Sequence, residues 1–215
     1  LPDQKLWYRR TFIDPRQQLK NEKENQTGSR ILLHFGAVDY LCAVWVNNRF
    51  AGKHQSGYLP FSLDITDLLQ DGQNELVVSV WDPTDAGLQQ RGKQTLNPKG
   101  IWYTAVSGIW QTVWLEAVPE MSIQSLKLTP DLEEKKLQVE VKVRGLLAGE
   151  NTGIWAEASS DGKLVASGGG WSDEIIELSL PDPILWEPGN PHLYDLQVQI
   201  MDKDQVVDEV SSYFA

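Results

Sequence analysis

The feature of this sequence that most limits its fold is the spacing of its apolar residues, which alternate with polar ones over short runs and rarely recur at helical intervals. One such run is KLQVEVKV, residues 136–143, and the valine-rich run ELVVSVWD, residues 75–82, also predicts a strand. Turn-forming pairs such as Asn47-Asn48 and Asp161-Gly162 separate the runs. Alternation at a period of two, interrupted by frequent turns, is typical of β-sandwiches. The sequence therefore predicts an all-β protein.

The amino-acid composition and the strand pattern change after Val118-Pro119, and this change predicts two domains. The first part is rich in aromatic residues and contains two long polar segments, residues 14–29 and 83–100, which we interpret as surface loops. In the second part, about seven short and more highly charged strands follow in just under one hundred residues. That density matches an immunoglobulin-like β-sandwich. We therefore predict domains over residues 1–119 and 120–215.

The charge balance limits the partners of the chain. Nineteen basic residues against thirty acidic ones give a net charge of -11. Such a chain repels phosphate backbones and anionic membrane surfaces, so we expect neither nucleic acid nor a membrane as partner. No apolar run approaches the length of a membrane span. A neutral ligand or another protein surface fits this composition better.

The residue types that usually hold metals or perform covalent catalysis form no familiar pattern. The three histidines, His34, His54 and His192, lack metal-ligand spacing, and His34 alternates with apolar neighbours as a core or sheet-face residue does. The single cysteine, Cys42, lies inside an apolar run and is predicted to be a buried thiol. No nucleophile elbow or phosphate-binding glycine motif occurs. We predict no metal and no cofactor.

Two aspartates at the end of a strand are the first candidate site residues. Asp82 ends the run 75–82, and Asp85 lies in the loop 83–100 that follows. Loops of that length in compact domains are usually functional. Carboxylates there can accept hydrogen bonds from sugar hydroxyls, but Asp-Pro and Thr-Asp sequences also favour turns. A turn-capping role and a carbohydrate-binding role both remain open.

The segment GIWYTAVSGIWQTVWLE, residues 100–116, concentrates three of the nine tryptophans. A continuous strand over residues 109–116 places Trp110 and Trp114 together on one of two apolar faces. Packing is the favoured role for these two indoles, against the long loop, the second domain or another part of a larger polypeptide. Trp102 lies nearer the loop and is better suited to stacking on a sugar.

Three segments of the first part are similar to the first domain of glycoside hydrolase family 2: AVWVNNRFAGKHQSGYLPFSLDIT, NELVVSVWD and SGIWQTVWLE. This family includes β-galactosidases, β-glucuronidases and β-mannosidases. ILWEPGNPHLYDLQVQI, residues 184–200, resembles the end of the family's second domain. The resemblance implies a galactose-binding-like jelly roll over residues 1–119, followed by an immunoglobulin-like β-sandwich over residues 120–215.

The resemblance also implies a partner on the same polypeptide. In this family a third domain, a (β/α)8 barrel, carries an acid/base glutamate and a nucleophilic glutamate, and retaining hydrolysis needs two carboxyl groups roughly 5 Å apart. No residue here matches them. We therefore expect a non-catalytic fragment of a β-galactosidase-like hydrolase, lacking some N-terminal strands, which supports the barrel and shapes the substrate entrance. A close pair of carboxyl groups lining a pocket of its own would contradict this interpretation.

One residue assignment follows from the resemblance. In β-galactosidase-like members an aspartate of this loop contacts the substrate, and aligning NELVVSVWDPTD without gaps puts Asp85 at that place, with Asp82 close by. The candidate carbohydrate contacts are thus Asp85, Asp82 and Trp102. Two alternatives stay open, a stand-alone carbohydrate-binding module and a structural adhesion domain, because a fold alone does not decide function.

Overall fold

The computed structural model describes residues 3–16, 30–203 and 205–215, and these fold almost entirely as β-strands. The chain divides into two compact units, Leu1–Ala117 and Val118–Ala215, each with its own hydrophobic core. The prediction of an all-β protein is confirmed. Most of the predicted surface loop 14–29 lies outside the residues that the structure describes. In the described ranges, no helix is long and apolar enough to cross a membrane.

Unit 1 is built from two larger sheets and two small ones. Its strands are β1 (Leu6–Ile13), β2 (Arg30–Phe35), β3 (Val38–Asp39), β4 (Leu41–Val46), β5 (Arg49–Gln55), β6 (Phe61–Asp64), β7 (Gln73–Trp81), β8 (Gln94–Thr95), β9 (Tyr103–Thr104), β10 (Gly108–Ile109) and β11 (Val113–Val118). The larger sheets have the orders β1-β7-β4-β5 and β11-β2-β6, and the small ones are β10-β3 and β8-β9. A 3-10 turn, Thr66–Leu68, connects β6 to β7.

Strand β4 shows how the sequence pattern forms the core of unit 1. Cys42, Val44 and Val46 are at most 1% exposed and alternate with half-buried residues, because successive side chains of a strand point to opposite faces. They share one core with inward-facing residues of β2, including Ile31 and Phe35. Cys42 is the buried thiol that the sequence predicts, and burial raises its pKa to about 11.

The turn at Asn47-Asn48 joins β4 to β5 as a tight hairpin, as predicted. Both residues have positive φ, 51° and 62°, a conformation that asparagine tolerates better than most residues. The Asn47 side-chain amide donates to the carbonyl of Leu68 at 2.9 Å and to Oδ1 of Asn74 at 2.7 Å. Asn74 is fully buried, so this network ties the hairpin to the start of β7.

Two apolar stretches of unit 1 are divided differently from the sequence prediction. The apolar run ILLHFGAVDYLCAVWV, residues 31–46, predicts two strands that break near Gly36. It forms three, since the short β3 leaves β2 and pairs with β10. The continuous strand predicted over residues 109–116 is wrong, because residues 110–112 step from β10 in one sheet to β11 in another. Gly36 allows this step, since a Cβ there would lie 2.7 Å from the Cβ of Gln111.

Unit 2 is a sandwich of seven strands, which agrees with the predicted immunoglobulin-like architecture. They are β12 (Ser122–Asp131), β13 (Lys136–Arg144), β14 (Gly153–Ser160), β15 (Lys163–Trp171), β16 (Ile176–Ser179), β17 (Tyr194–Asp202) and β18 (Gln205–Phe214). One sheet has the order β12-β13-β16 and the other β15-β14-β17-β18. The alternating apolar residues of both sheets meet in one core, with Leu137, Leu178 and Ile200 fully buried.

Candidate functional site

A pocket of about 220 Å³ lies in unit 1 beside the paired strands β3 and β10. The segment between β7 and β10 contributes to its wall, and this segment contains the predicted loop 83–100 with the short parallel pair β8 and β9. The pocket thus lies where the strand ends and the long loop converge. Its lining residues are Asp39, Gly57, Tyr58, Gln94, Val106, Ser107 and Trp110.

Asp82 follows β7 directly and fastens the two ends of the long segment together. One carboxylate oxygen accepts a hydrogen bond from the Thr84 backbone N–H at 2.7 Å, and the other accepts one from the Ser107 hydroxyl at 2.5 Å. The residue is only 7% exposed and is not among those that line the pocket. Its carboxylate therefore makes the turn-capping contacts that the sequence left open.

Asp39 places a carboxyl group in the pocket wall. It lies in β3 opposite Gly108, is 8% exposed, and is hydrogen-bonded by the side chain of Gln94. Burial, and after it the negative charge of Asp82, raise the pKa of Asp39, the Gln94 hydrogen bond opposes both effects, and the net result is a pKa of about 6. Gln94 is held in place because its own side-chain oxygen accepts the Val106 N–H at 2.6 Å.

Two aromatic side chains form the apolar part of the pocket wall. The indole N–H of Trp110 donates to the carbonyl of Gly57 at 2.8 Å, which fixes the ring beside Asp39. The Trp110 and Tyr58 rings meet edge to face with centroids 6.1 Å apart. Gly57 is required here, since a Cβ would lie 2.7 Å from Oδ1 of Asp39. The wall thus combines a carboxyl group with aromatic surface.

Asp85 lies further along the loop and also makes contacts within it. Its Oδ2 accepts hydrogen bonds from the Thr95 hydroxyl at 2.6 Å and from the Leu96 N–H at 3.0 Å. These hydrogen bonds, the Thr95 contact first, hold the pKa of Asp85 below its ordinary value. The guanidinium of Arg91 donates to the Asp85 backbone carbonyl at 3.0 Å. Asp85 is therefore an anionic acceptor at neutral pH, half-buried in the loop.

The other indoles of the segment 100–116 lie outside the pocket wall. Trp102 is 43% exposed and is not a lining residue. Trp114 stacks on His34 with the ring planes 9° apart, and His34 also contacts Ser62 and Glu116. His34 is thus the sheet-face residue that the sequence predicts.

The favoured packing role of Trp110 and Trp114 is not fulfilled within unit 1. Trp110 keeps 52% of its surface exposed and Trp114 keeps 45%. The sequence placed both on one face of a continuous strand, but the break at residues 110–112 separates their environments. Trp110 borders the pocket, whereas Trp114 covers one ring face of His34.

The chemistry available in the pocket is recognition of a polar ligand. Among the described residues, no group of three or more His, Cys, Asp or Glu side chains is arranged to hold a metal ion. Asp39 and Asp82 are close enough for one charge to affect the other, yet only Asp39 lines the pocket. Asp82 is buried with hydrogen bonds to both oxygens. The pair therefore does not present two carboxyl groups to one glycosidic bond, as retaining hydrolysis requires.

Sequence reasoning missed the residue at the centre of this pocket. Asp39 interrupts the apolar run ILLHFGAVDYLCAV, and an acid in such a run is a signal of a buried, functional or paired carboxyl group. Tyr58 carried no comparable signal, because it comes to the pocket from a loop after β5.

The fold and the pocket define the class of protein. The chain consists of two successive β-sandwiches, and the pocket of the first has aromatic and carboxyl groups in its wall, a combination suited to binding carbohydrate. Family models divide the chain in the same order: the sugar binding domain of glycosyl hydrolases family 2 matches residues 3–119, and a second family 2 model matches residues 121–215. The chain belongs to glycoside hydrolase family 2. The jelly-roll and immunoglobulin-like fold expected from the resemblance is confirmed.

Sequence relatives of the chain are much longer than the chain. A β-galactosidase of Thermoanaerobacter pseudethanolicus is 26% identical over 214 residues, which cover 94% of this chain and 27% of that protein. A putative β-glucuronidase of Formosa agariphila is 28% identical over 190 residues, which cover 84% of this chain and 22% of that protein. The chain thus spans about a quarter of the length of the curated relatives it matches.

Solved structures share the fold over nearly the whole chain. A β-glycosidase from Bacteroides vulgatus superposes with a TM-score of 0.75 at 23% identity, covering 96% of this chain and 25% of that one. A β-glucuronidase from Ruminococcus gnavus, in complex with D-glucuronic acid, has a TM-score of 0.72 at 23% identity and covers 97% of this chain. At such identities the likeness establishes the fold.

Proposed function

We propose that this chain is a non-catalytic N-terminal part of a family 2 glycoside hydrolase that cleaves β-glycosidic bonds by a retaining mechanism, with β-galactosidase-like preference. Its role is to support a (β/α)8 catalytic domain of the same polypeptide and to shape the entrance for a carbohydrate substrate. The observation that carries this proposal is the match of both family models in order, over residues 3–119 and 121–215. The much greater length of the relatives supports it.

The domain division over residues 1–119 and 120–215 is part of this proposal. It rests on the change of character after Val118-Pro119 in the sequence. The separate hydrophobic cores of the two units support it.

The loop after β7 is the proposed contribution to the substrate entrance. Asp85 is an anionic acceptor suited to sugar hydroxyls, and Trp102 offers an exposed indole face. Asp82, whose oxygens are occupied by Thr84 and Ser107, contributes by positioning the loop. This assignment keeps the three residues that the sequence singled out and gives them different roles.

Substitution of Asp85 in the longer protein encoded by the same gene tests this role. We expect Asp85→Ala to lower kcat/KM for a β-galactoside by about tenfold, the cost of one charge-assisted hydrogen bond to substrate. Thr95→Val is the matched control, because it removes a loop contact of Asp85 and leaves the carboxylate present. An unchanged kcat/KM for Asp85→Ala, or an equal loss in Thr95→Val, would show that the residue only holds the loop.

A stand-alone carbohydrate-binding module is the second candidate function for unit 1. The half-exposed Trp110 beside Asp39 favours it, since an aromatic wall next to a polar group is a common way to bind sugar. Titration of the 215-residue chain with D-galactose, followed by tryptophan fluorescence, distinguishes the two. Saturation at or below about 1 mM that disappears in Trp110→Ala supports the module. No response supports the supporting role.

A further inference from the structure

The two outer faces of the unit 2 sandwich have different chemistry. On the sheet β12-β13-β16, outward residues form ion pairs, with Lys127 2.5 Å from Glu140 and Lys136 2.8 Å from Glu177. That is the ordinary composition of a solvated face. The outer face of the sheet β15-β14-β17-β18 instead carries two indoles, amides, hydroxyls and carboxylates, and we call it the amide–indole face. Its strand residues include Trp155, Trp171, Glu157, Ser167, Gln197, Gln199, Glu209 and Ser211.

The two indoles of this face are each paired with a glycine on the neighbouring strand. Trp155 of β14 lies opposite Gly169 of β15, and Trp171 of β15 lies opposite Gly153 of β14. They are therefore diagonal neighbours, with Cα atoms roughly 7–8 Å apart in such a ladder. Trp155 is 38% exposed and Trp171 52%. Two large apolar surfaces thus face outward side by side.

The Trp155 ring is held flat against the sheet. A Cβ on Gly169 would lie 2.7 Å from Cε3 of Trp155, so the ring occupies the space that any other side chain would take. Its indole N–H donates to Glu157 at 2.9 Å, which fixes the direction of the ring. The position is therefore defined before any ligand binds, which reduces the entropy cost of binding.

Hydrogen-bonding groups continue from Trp155 across the sheet. Gln199 lies opposite Trp155 on β17, and its amide donates to Glu209 of β18 at 2.5 Å. Gln197 lies opposite Glu157 in the next row. The described strand residues of this face include carboxylates but no lysine or arginine. Such a face repels anionic ligands and suits a neutral ligand with many hydroxyls.

We propose that the amide–indole face is a second carbohydrate-binding surface, which takes an extended, neutral, β-linked glycan chain. The flat indoles stack on the apolar faces of sugar rings, and the glutamines and glutamates bind the equatorial hydroxyls. An extended β-linked chain presents its ring faces in one plane, which matches a flat sheet. This surface consists of unit 2 residues alone and does not depend on the hydrolytic role proposed above.

Calorimetric titration of the 215-residue chain with cellohexaose and with β-1,4-mannohexaose tests the proposal. We expect saturable binding of at least one of these neutral chains with a Kd at or below about 1 mM. The anionic, β-linked hexamannuronate should bind at least about tenfold more weakly. Absence of binding to both neutral chains, or equal binding of hexamannuronate, overturns the proposal.

Substitutions locate the site. Trp155→Ala and, separately, Trp171→Ala should each weaken binding by about tenfold or more, the usual cost of truncating an aromatic anchor. Trp186→Ala is the matched control, since Trp186 is a half-exposed indole of the same unit outside this face, and it should bind normally. Circular dichroism checks that each variant folds, and Trp171 is exposed enough for its loss to be tolerated. Binding that survives both substitutions, or that is lost only in Trp110→Ala of unit 1, excludes this face.

Discussion

At the scale of single residues, the unit 1 pocket depends on two buried aspartates with different tasks. Both carboxylate oxygens of Asp82 accept hydrogen bonds, one from Thr84 and one from Ser107, and these bonds fix the loop. Asp39 has fewer compensating contacts, and its pKa is raised to about 6 by burial and by the charge of Asp82. Its neutral form is therefore the one that the fold favours, and this has a consequence for stability against pH.

The stability contributed by neutral Asp39 should be fully present below its unfolded pKa, near 3.8, and should be lost as pH rises through about 6. Asp39→Asn keeps a neutral side chain of the same shape at every pH. We expect it to raise the free energy of unfolding at pH 8 by on the order of 1 kcal/mol, after allowance for solvent screening, and to leave it unchanged at pH 4. Urea unfolding at the two pH values measures this, with the exposed Asp182→Asn as control. Parallel behaviour of Asp39→Asn and the parent protein at both pH values would contradict the assignment.

The sequence locates some of these residues and not others. Asp82 and Asp85 are visible as carboxyl groups at a strand end, since the valine-rich run before them predicts a strand. Their hydrogen-bond partners are not visible, because Ser107 is 25 residues from Asp82 along the chain. Asp39 could have been suspected from its apolar neighbours, but its contact with Gln94 depends on the path of the loop.

At the scale of elements, the β4–β5 hairpin is held by asparagine side chains as well as by the ladder. Asn74 is fully buried in β7, accepts hydrogen bonds from Asn47 and from the Gln70 N–H, and donates to the carbonyls of Gln70 and Gly72. Every polar atom of this amide has a partner, which is what burial of a polar side chain requires. The network thus joins the β4–β5 turn, the 3-10 turn and the segment that leads into β7.

Removal of the Asn74 amide should therefore be costly. Asn74→Ala removes the acceptor of the Gln70 N–H and one of the two acceptors of the Asn47 amide, and we expect it to lower the free energy of unfolding by about 3 kcal/mol. Urea denaturation measures the loss. The exposed Asn151→Ala serves as control and should change stability by less than about 0.5 kcal/mol. A cost below about 1 kcal/mol for Asn74→Ala would show that water replaces the amide.

Element prediction succeeded where one face of a strand is wet. Strand β13 shows this, since apolar and polar residues alternate along KLQVEVKV and the apolar ones face the core of unit 2. It failed at residues 110–112, because a run that is apolar on both faces does not show where the chain leaves one sheet for another. Trp110 is exposed because it lies where the chain passes from one sheet to the other, and that position depends on the tertiary fold.

At the scale of the whole molecule, the chain combines two β-sandwich units of family 2 with surfaces suited to sugars. Unit 1 has the pocket with Asp39 and Trp110 and the loop with Asp85, and unit 2 has the amide–indole face. Among the residues that line the unit 1 pocket, Asp39 alone has a carboxyl group, whereas retaining hydrolysis requires two. This agrees with the proposal that these 215 residues serve recognition and support and that another domain performs the chemistry.

Turnover of chromogenic substrates measures that assignment most directly. The purified 215-residue chain and the proposed longer protein, which adds the (β/α)8 catalytic domain, are assayed with the 4-nitrophenyl β-D-galactoside, β-D-glucuronide and β-D-mannoside. We expect the longer protein to hydrolyse at least one of them, the galactoside first, while the 215-residue chain releases no nitrophenol above the buffer rate. Hydrolysis by the 215-residue chain itself, or none by the longer protein, would contradict the account.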